Sequence, residues 1–273
     1  MNAPAASIVA RWFPASPLRH AAFLRLYVGS VGAALGYTMQ STVAAWLMAT
    51  LTPSALMVAL VQTASTAPSL LFGLAAGALA DIVDRRRIII ATHIVLIAVT
   101  AGLGIAELTG IVGPMTLLAG TFLIGTGFAI YLPAQTASVN DIVARVEIPR
   151  AASLAAVAFN VARALGPALA GALAAWLSSG SALLVASVFF GVMILMVYPH
   201  PSPGRPIPGV PETLLSGIQS GLRYARHSKP LRALIIRNFS FSFCASALWA
   251  LMPLVARDQL ALGAGGYGTL MAS

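Results

Sequence analysis

Long apolar runs alternate along this chain with short connections. A membrane-crossing helix needs about 20 predominantly apolar residues. Seven runs meet that need and predict spans at about 22–49, 55–80, 88–109, 114–134, 151–176, 181–198 and 237–256. An eighth run begins near 264 and stops with the chain, so the chain reads as truncated inside an eighth helix. The expected organisation is an amino-terminal segment 1–21, a six-helix bundle 22–198, a connection 199–236, and helix seven with the truncated helix eight at 237–273.

The connections alternate in charge. Those at 51–54, 109–114 and 178–180 are short and uncharged, whereas 81–87, 135–150 and 199–236 carry most of the charged residues. Arg11, Arg19, Arg85, Arg86, Arg87, Arg145, Arg150, Arg205, Arg223, Arg226, Lys229 and Arg232 thereby fall on one side, and Arg257 alone on the other. Basic residues hold the cytoplasmic side of membrane proteins. The amino terminus is therefore expected in the cytoplasm, with the chain a multi-pass protein of the bacterial inner membrane. Arg25 and Arg237, at inner helix ends, can snorkel to the interface.

Composition sharpens this picture. Of 273 residues, 59% are hydrophobic and 8% charged. A soluble domain runs near a quarter charged, so the bilayer is the expected solvent and first partner of this all-α polytopic protein. The net charge of +9 would suit nucleic acid, but the one-sided topology already accounts for it, and no nucleic-acid partner is expected. A lone cysteine, Cys244, excludes an internal disulfide framework.

The connection at 199–236 has two parts. Six prolines between 199 and 211 make a stiff linker. From 212 to 228, Leu214, Leu215, Ile218, Leu222 and Ala225 recur at helical spacing beside Arg223 and Arg226, which predicts an amphipathic helix on the inner leaflet.

The most specific motif joins helices two and three: Gly77, Asp81, Asp84, Arg85, Arg86 and Arg87. Gly77 can permit close helix contact, Asp81 can meet a neighbouring helix amino terminus, and the arginines can hold headgroups or pair with acids. Such a loop can latch one conformation closed; a plain topology anchor is the blander alternative. The run resembles the cytoplasmic loop motif of the major facilitator superfamily, with Ile82 and Asp84 departing from it. Its Asp-Arg-Arg-Arg stretch resembles the transmembrane secretion effector branch, which includes enterobactin-type exporters. The resemblance implies a major facilitator fold, here the amino-terminal six-helix half plus the start of the second. It also implies alternating access about a midplane site.

Helix five carries Asn160, Arg163, Gly166, Pro167 and Gly171. Arg163 falls mid-span, where an arginine costs about 2.5–3.5 kcal/mol on insertion scales and needs a partner or a cavity. Gly166-Pro167 with Gly171 resembles, incompletely, the helix-five motif of antiporters in the superfamily. It suggests a gating bend beside a polar path; a structural arginine satisfied by carbonyls is the alternative. Gly32 with Gly36, and Gly73 with Gly77, have the spacing of close helix packing, and bulky helix six is expected to face lipid. Gln40, Trp46, Gln62 and Tyr131 are candidate cavity residues, each of which could instead be a packing contact. Among them the resemblance favours Gln40 and Tyr131, on helices one and four. His93 reads as packing rather than a proton relay. Similar stretches at Pro68 and Pro167 put helices two and five in corresponding places of an inverted repeat.

No nucleotide-binding Gly-x-x-x-x-Gly-Lys-Ser/Thr pattern, catalytic constellation or metal spacing occurs, so neither an enzyme nor a metal or other cofactor is expected. The leading expectation is a secondary transporter exporting an amphiphilic small molecule, a drug or a siderophore. Protons are a candidate coupling ion, although no acid stands at the centre of a span. Two readings stay open beside it. One is a truncated, non-transporting protein or a half that needs self-association or a second chain; the other is an importer of the same fold.

Overall fold

Helices account for the regular structure of the computed structural model, which describes residues 16–198, 223 and 226–272. In chain order these are α1 (Ala21–Leu51), α2 (Ala55–Ile82), α3 (Arg85–Leu108), α4 (Pro114–Ile142), α5 (Ile148–Trp176), α6 (Ser179–Val197), α7 (Lys229–Leu254) and α8 (Ala264–Ala272). The described residues hold no strand. The proline-rich linker and most of the expected amphipathic segment at 212–228 lie outside the described residues.

Two helices differ in extent from the sequence expectation. α4 continues past 134 to Ile142, with its hydroxyls satisfied on the helix itself: Thr136 donates to Leu132 O at 2.9 Å and Ser138 to Ala134 O at 2.7 Å. α7 begins at Lys229 rather than 237, with Pro230 in the first turn, where the missing N–H costs nothing.

Six helices, α2 to α7, are long and apolar enough to cross a membrane. α1 is not among them. Gly29, Ser30, Gly32, Gly36, Gln40, Ser41 and Thr42 dilute its hydropathy. Most of its length is buried against neighbours, so it needs less apolar surface than a lipid-facing helix.

The packing is repetitive. α1 packs mainly on α5 and α6, α4 mainly on α2 and α3, and α3 also on α6. Exchanging α1 with α4, α2 with α5 and α3 with α6 maps this set of pairs onto itself. That is the signature of an inverted three-helix repeat, and it places Pro68 of α2 and Pro167 of α5 as counterparts, both buried within their helices.

Side-chain size explains the α1–α6 pair. A Cβ on Gly36 would stand 2.9 Å from Ala186 O and 3.1 Å from the Phe190 ring, so only a bare backbone lets the helices meet. Phe190 and Met193 are fully buried there, so this side of α6 faces α1 and not lipid, while Val188 and Leu195 are strongly exposed on α6. The parallel expectation for Gly73 and Gly77 is also corrected, since a Cβ on either would meet nothing within 4 Å.

Candidate functional site

Helix direction fixes the electrostatics of each end of the bundle. At the arginine-rich end α2, α4 and α6 terminate, and α1, α3 and α5 begin. A helix terminus leaves unpaired carbonyls and a partial negative charge at its carboxyl end, and unpaired N–H groups at its amino end.

The 81–87 motif meets both demands. Arg85 donates to Ala80 O at the end of α2 (3.2 Å) and to Ala137 O near the end of α4 (3.2 Å), and it pairs with the Asp141 carboxylate. Arg86 donates to Val197 O at 3.4 Å and to Tyr198 O, beyond α6, and its guanidinium lies 5.8 Å from the Tyr198 ring centroid. Asp84 caps α3, its Oδ1 accepting from Arg86 N at 2.8 Å. One short loop thus ties together the ends of four helices. Arg87 and Asp81 are exposed, with no hydrogen-bond or ion-pair partner among the described residues. Gly77, half-buried, stands clear of any neighbouring helix.

A second clasp lies at the same end, and sequence reading missed it. Glu147, just before α5, is only 4% exposed. It accepts from Arg19 Nη2 at 3.0 Å, lies 3.1 Å from His20 Nε2, and accepts from Ala144 N at 3.4 Å. It fastens the start of α1 to the start of α5. A single acid in a charged loop gave little signal, but the alternation of helix direction brings the starts of α1 and α5 to one end. At the opposite end, Glu107 of α3 accepts from Gly180 N in the first turn of α6 at 2.8 Å, so this carboxylate serves as a helix cap.

The helix-five residues divide between two faces. Ala158, Ala162, Gly166 and Ala170 form a buried stripe of small residues. Gly166 lies against Thr38 of α1, whose hydroxyl is 3.0 Å from Ala162 O. Pro167 and Gly171 turn toward α8: a Cβ on Gly171 would stand 2.7 Å from Ala264 O and 2.8 Å from Gly268 Cα. Asn160 and Arg163 are exposed on the other side of the helix, and the Arg163 guanidinium lies 5.6 Å from the Trp249 ring centroid on α7.

The candidate cavity residues do not meet in one open space. Gln40 (1% exposed) and Tyr131 (2%) are enclosed in the bundle, so neither lines an open cavity in this conformation. Tyr131 packs edge-to-face on His93 at 4.7 Å between ring centroids. His93 is fully buried, its Nδ1 2.8 Å from Ile89 O. Trp46 stacks on Tyr267 of α8 at 5.6 Å, and Gln62 is half-buried on α2. The described residues contain no group of side chains suited to a metal.

Some buried polar atoms lack partners, among them the Thr121 hydroxyl. An unpaired buried polar group costs about 1–3 kcal/mol. Thr121→Val is therefore expected to leave the thermal unfolding midpoint unchanged or raise it; a fall of several degrees would show that the hydroxyl is paired.

Comparison with known families matches residues 13–273 to the family described as transmembrane secretion effector. Among curated proteins no match is found.

Proposed function

We propose that this chain, which belongs to the transmembrane secretion effector family of the major facilitator type, is a secondary active transporter that exports an amphiphilic small molecule by alternating access. The observation that carries the reading is the family match across residues 13–273. The repeat-related packing supports it, because inverted three-helix repeats nested in a six-helix unit are the build of one half of such a transporter. The two clasps support it as well: they join helix ends on one face through exchangeable ion pairs and hydrogen bonds, the kind of contact a switching protein can break and remake. The arginine distribution supports a cytoplasmic amino terminus in a bacterial inner membrane.

The test is accumulation of a fluorescent amphiphile in cells lacking their major exporters, with the membrane level of the chain measured in parallel. Expression of the chain is expected to lower accumulation in an energy-dependent way. Asp81 has no partner among the described residues in this conformation and is free to meet a helix amino terminus in another, so Asp81→Asn is expected to impair efflux at an unchanged membrane level. Unchanged efflux in that variant would remove Asp81 from the latch. Normal accumulation despite good insertion of the parent chain, across a panel of amphiphiles, would contradict export.

A further inference from the structure

Arg163 is the sixteenth of the 29 residues in α5. At 1.5 Å per residue it stands roughly 20 Å from either end of the helix. It is the one charge in the middle of a described span, and among the described residues no carboxylate pairs with it. Among the described residues every acid lies at a helix end. Asp141 is held by Arg85, Glu147 by Arg19 and His20, and Asp258 by Arg257, while Glu107 and Asp84 cap helices. Asp81, the remaining one, sits at the arginine-rich end of α2.

The arginine is nevertheless placed with company. Its guanidinium faces the Trp249 ring of α7, an aromatic surface itself 39% exposed. Asn160 lies one turn earlier on the same side of α5, and the flanking Ala156 and Ala164 are exposed and small, which leaves room beside the cation.

We infer that Arg163, Asn160 and Trp249 form a binding site for an anionic aromatic amphiphile, a molecule with a carboxylate or sulfonate on a planar apolar body. Arginine offers a planar fork whose N–H groups donate two parallel hydrogen bonds to such an oxyanion. Asn160 adds an amide donor, and the Trp249 face stacks on the aromatic part. The depth of the site excludes a lipid phosphate, which stays at the headgroup level. The cation of Arg163, unanswered by any acid among the described residues, disfavours a cationic substrate, which would meet like charge. This assignment rests on the transporter reading and names the substrate class of its site.

The test measures binding, so that it stands apart from transport. The purified chain in phosphatidylcholine nanodiscs is titrated with dansylglycine, an anion, and with dansylcadaverine, a cation bearing the same fluorophore; energy transfer from tryptophan reports occupancy. Dansylglycine is expected to bind about tenfold more tightly, the worth of one net charge-assisted contact. Arg163→Gln is expected to abolish the preference, Arg163→Lys to keep part of it, and Trp249→Phe to lower the energy transfer, the chain's other three tryptophans still contributing, while retaining the charge preference in a displacement titration. Equal affinities, a preference for the cation, or a preference that survives in Arg163→Gln at a normal unfolding midpoint would overturn the site. If Arg163→Gln fails to fold, the parent chain's charge preference and Arg163→Lys decide. A chain that lowers amphiphile accumulation in cells but lacks the preference refutes this site and leaves the transporter reading standing. A charge preference without export does the reverse.

Discussion

Gly171→Val lowers the thermal unfolding midpoint and abolishes efflux, whereas Gly73→Val changes neither; this is the expected result of placing the same side chain at two helix glycines. A Cβ at Gly171 would approach Ala264 O at 2.7 Å and Gly268 Cα at 2.8 Å. Both obstacles are backbone, so no rotamer relieves them and α8 must move away from α5. Overpacking of this kind costs about 1–3 kcal/mol. The loss of the α5–α8 crossing would also release the Trp46–Tyr267 stack, which joins α1 to α8 nearby. At Gly73 a Cβ meets nothing within 4 Å. Unfolding scans in detergent and efflux assays of the two variants check the contrast; equal effects would mean that the α5–α8 contact carries no special weight.

Arg85→Ala is expected to cost about 2 kcal/mol, within the range for hydrogen bonds to a charged group, and to impair efflux. Arg87→Ala is expected to do neither. Arg85 alone bridges α2, α3 and α4, through Ala80 O, Ala137 O and Asp141. Its side chain and that of Asp141 are 28% and 34% exposed, so water screens the pair and limits the effect. Asp141→Asn should therefore cost less than Arg85→Ala, because the two carbonyl bonds survive. Raising the salt concentration should shrink the Asp141 effect more than the Arg85 effect. Unfolding midpoints of the three variants at low and high salt test this order. An Arg87→Ala variant as damaged as Arg85→Ala would contradict the geometry.

The spans were legible because a bilayer demands unbroken apolar length, and few other structures produce it. The far end of α4 was not, since Thr136, Ser138 and Asp141 read as a loop in sequence; in the fold the hydroxyls of Thr136 and Ser138 turn back on the helix and the Asp141 carboxylate meets Arg85. The arginine motif was visible as a cluster, but its assignments depend on the directions of four helices. Arg85 meets a residue 56 positions away and Arg86 one 112 positions away. Glu147 was overlooked for the same reason, its partners standing 127 and 128 positions earlier in the chain. GxxxG spacing identified glycines without saying what they face: Gly36 receives Phe190, while Gly73 and Gly77 receive nothing. Arg163 was recognised as costly mid-span, yet its aromatic neighbour Trp249 lies on a different helix, beyond the reach of any local pattern.

Export of an amphiphile, by one copy of this chain or by an assembly of copies, can be watched in a membrane that contains no other protein. The most direct measurement is release of a fluorescent amphiphile from liposomes containing only the purified 273-residue chain, with and without an imposed ion gradient. Gradient-dependent release faster than from protein-free liposomes is expected, and its loss in Gly171→Val. Release no faster than from protein-free liposomes, by a chain that keeps its normal unfolding midpoint, would contradict export.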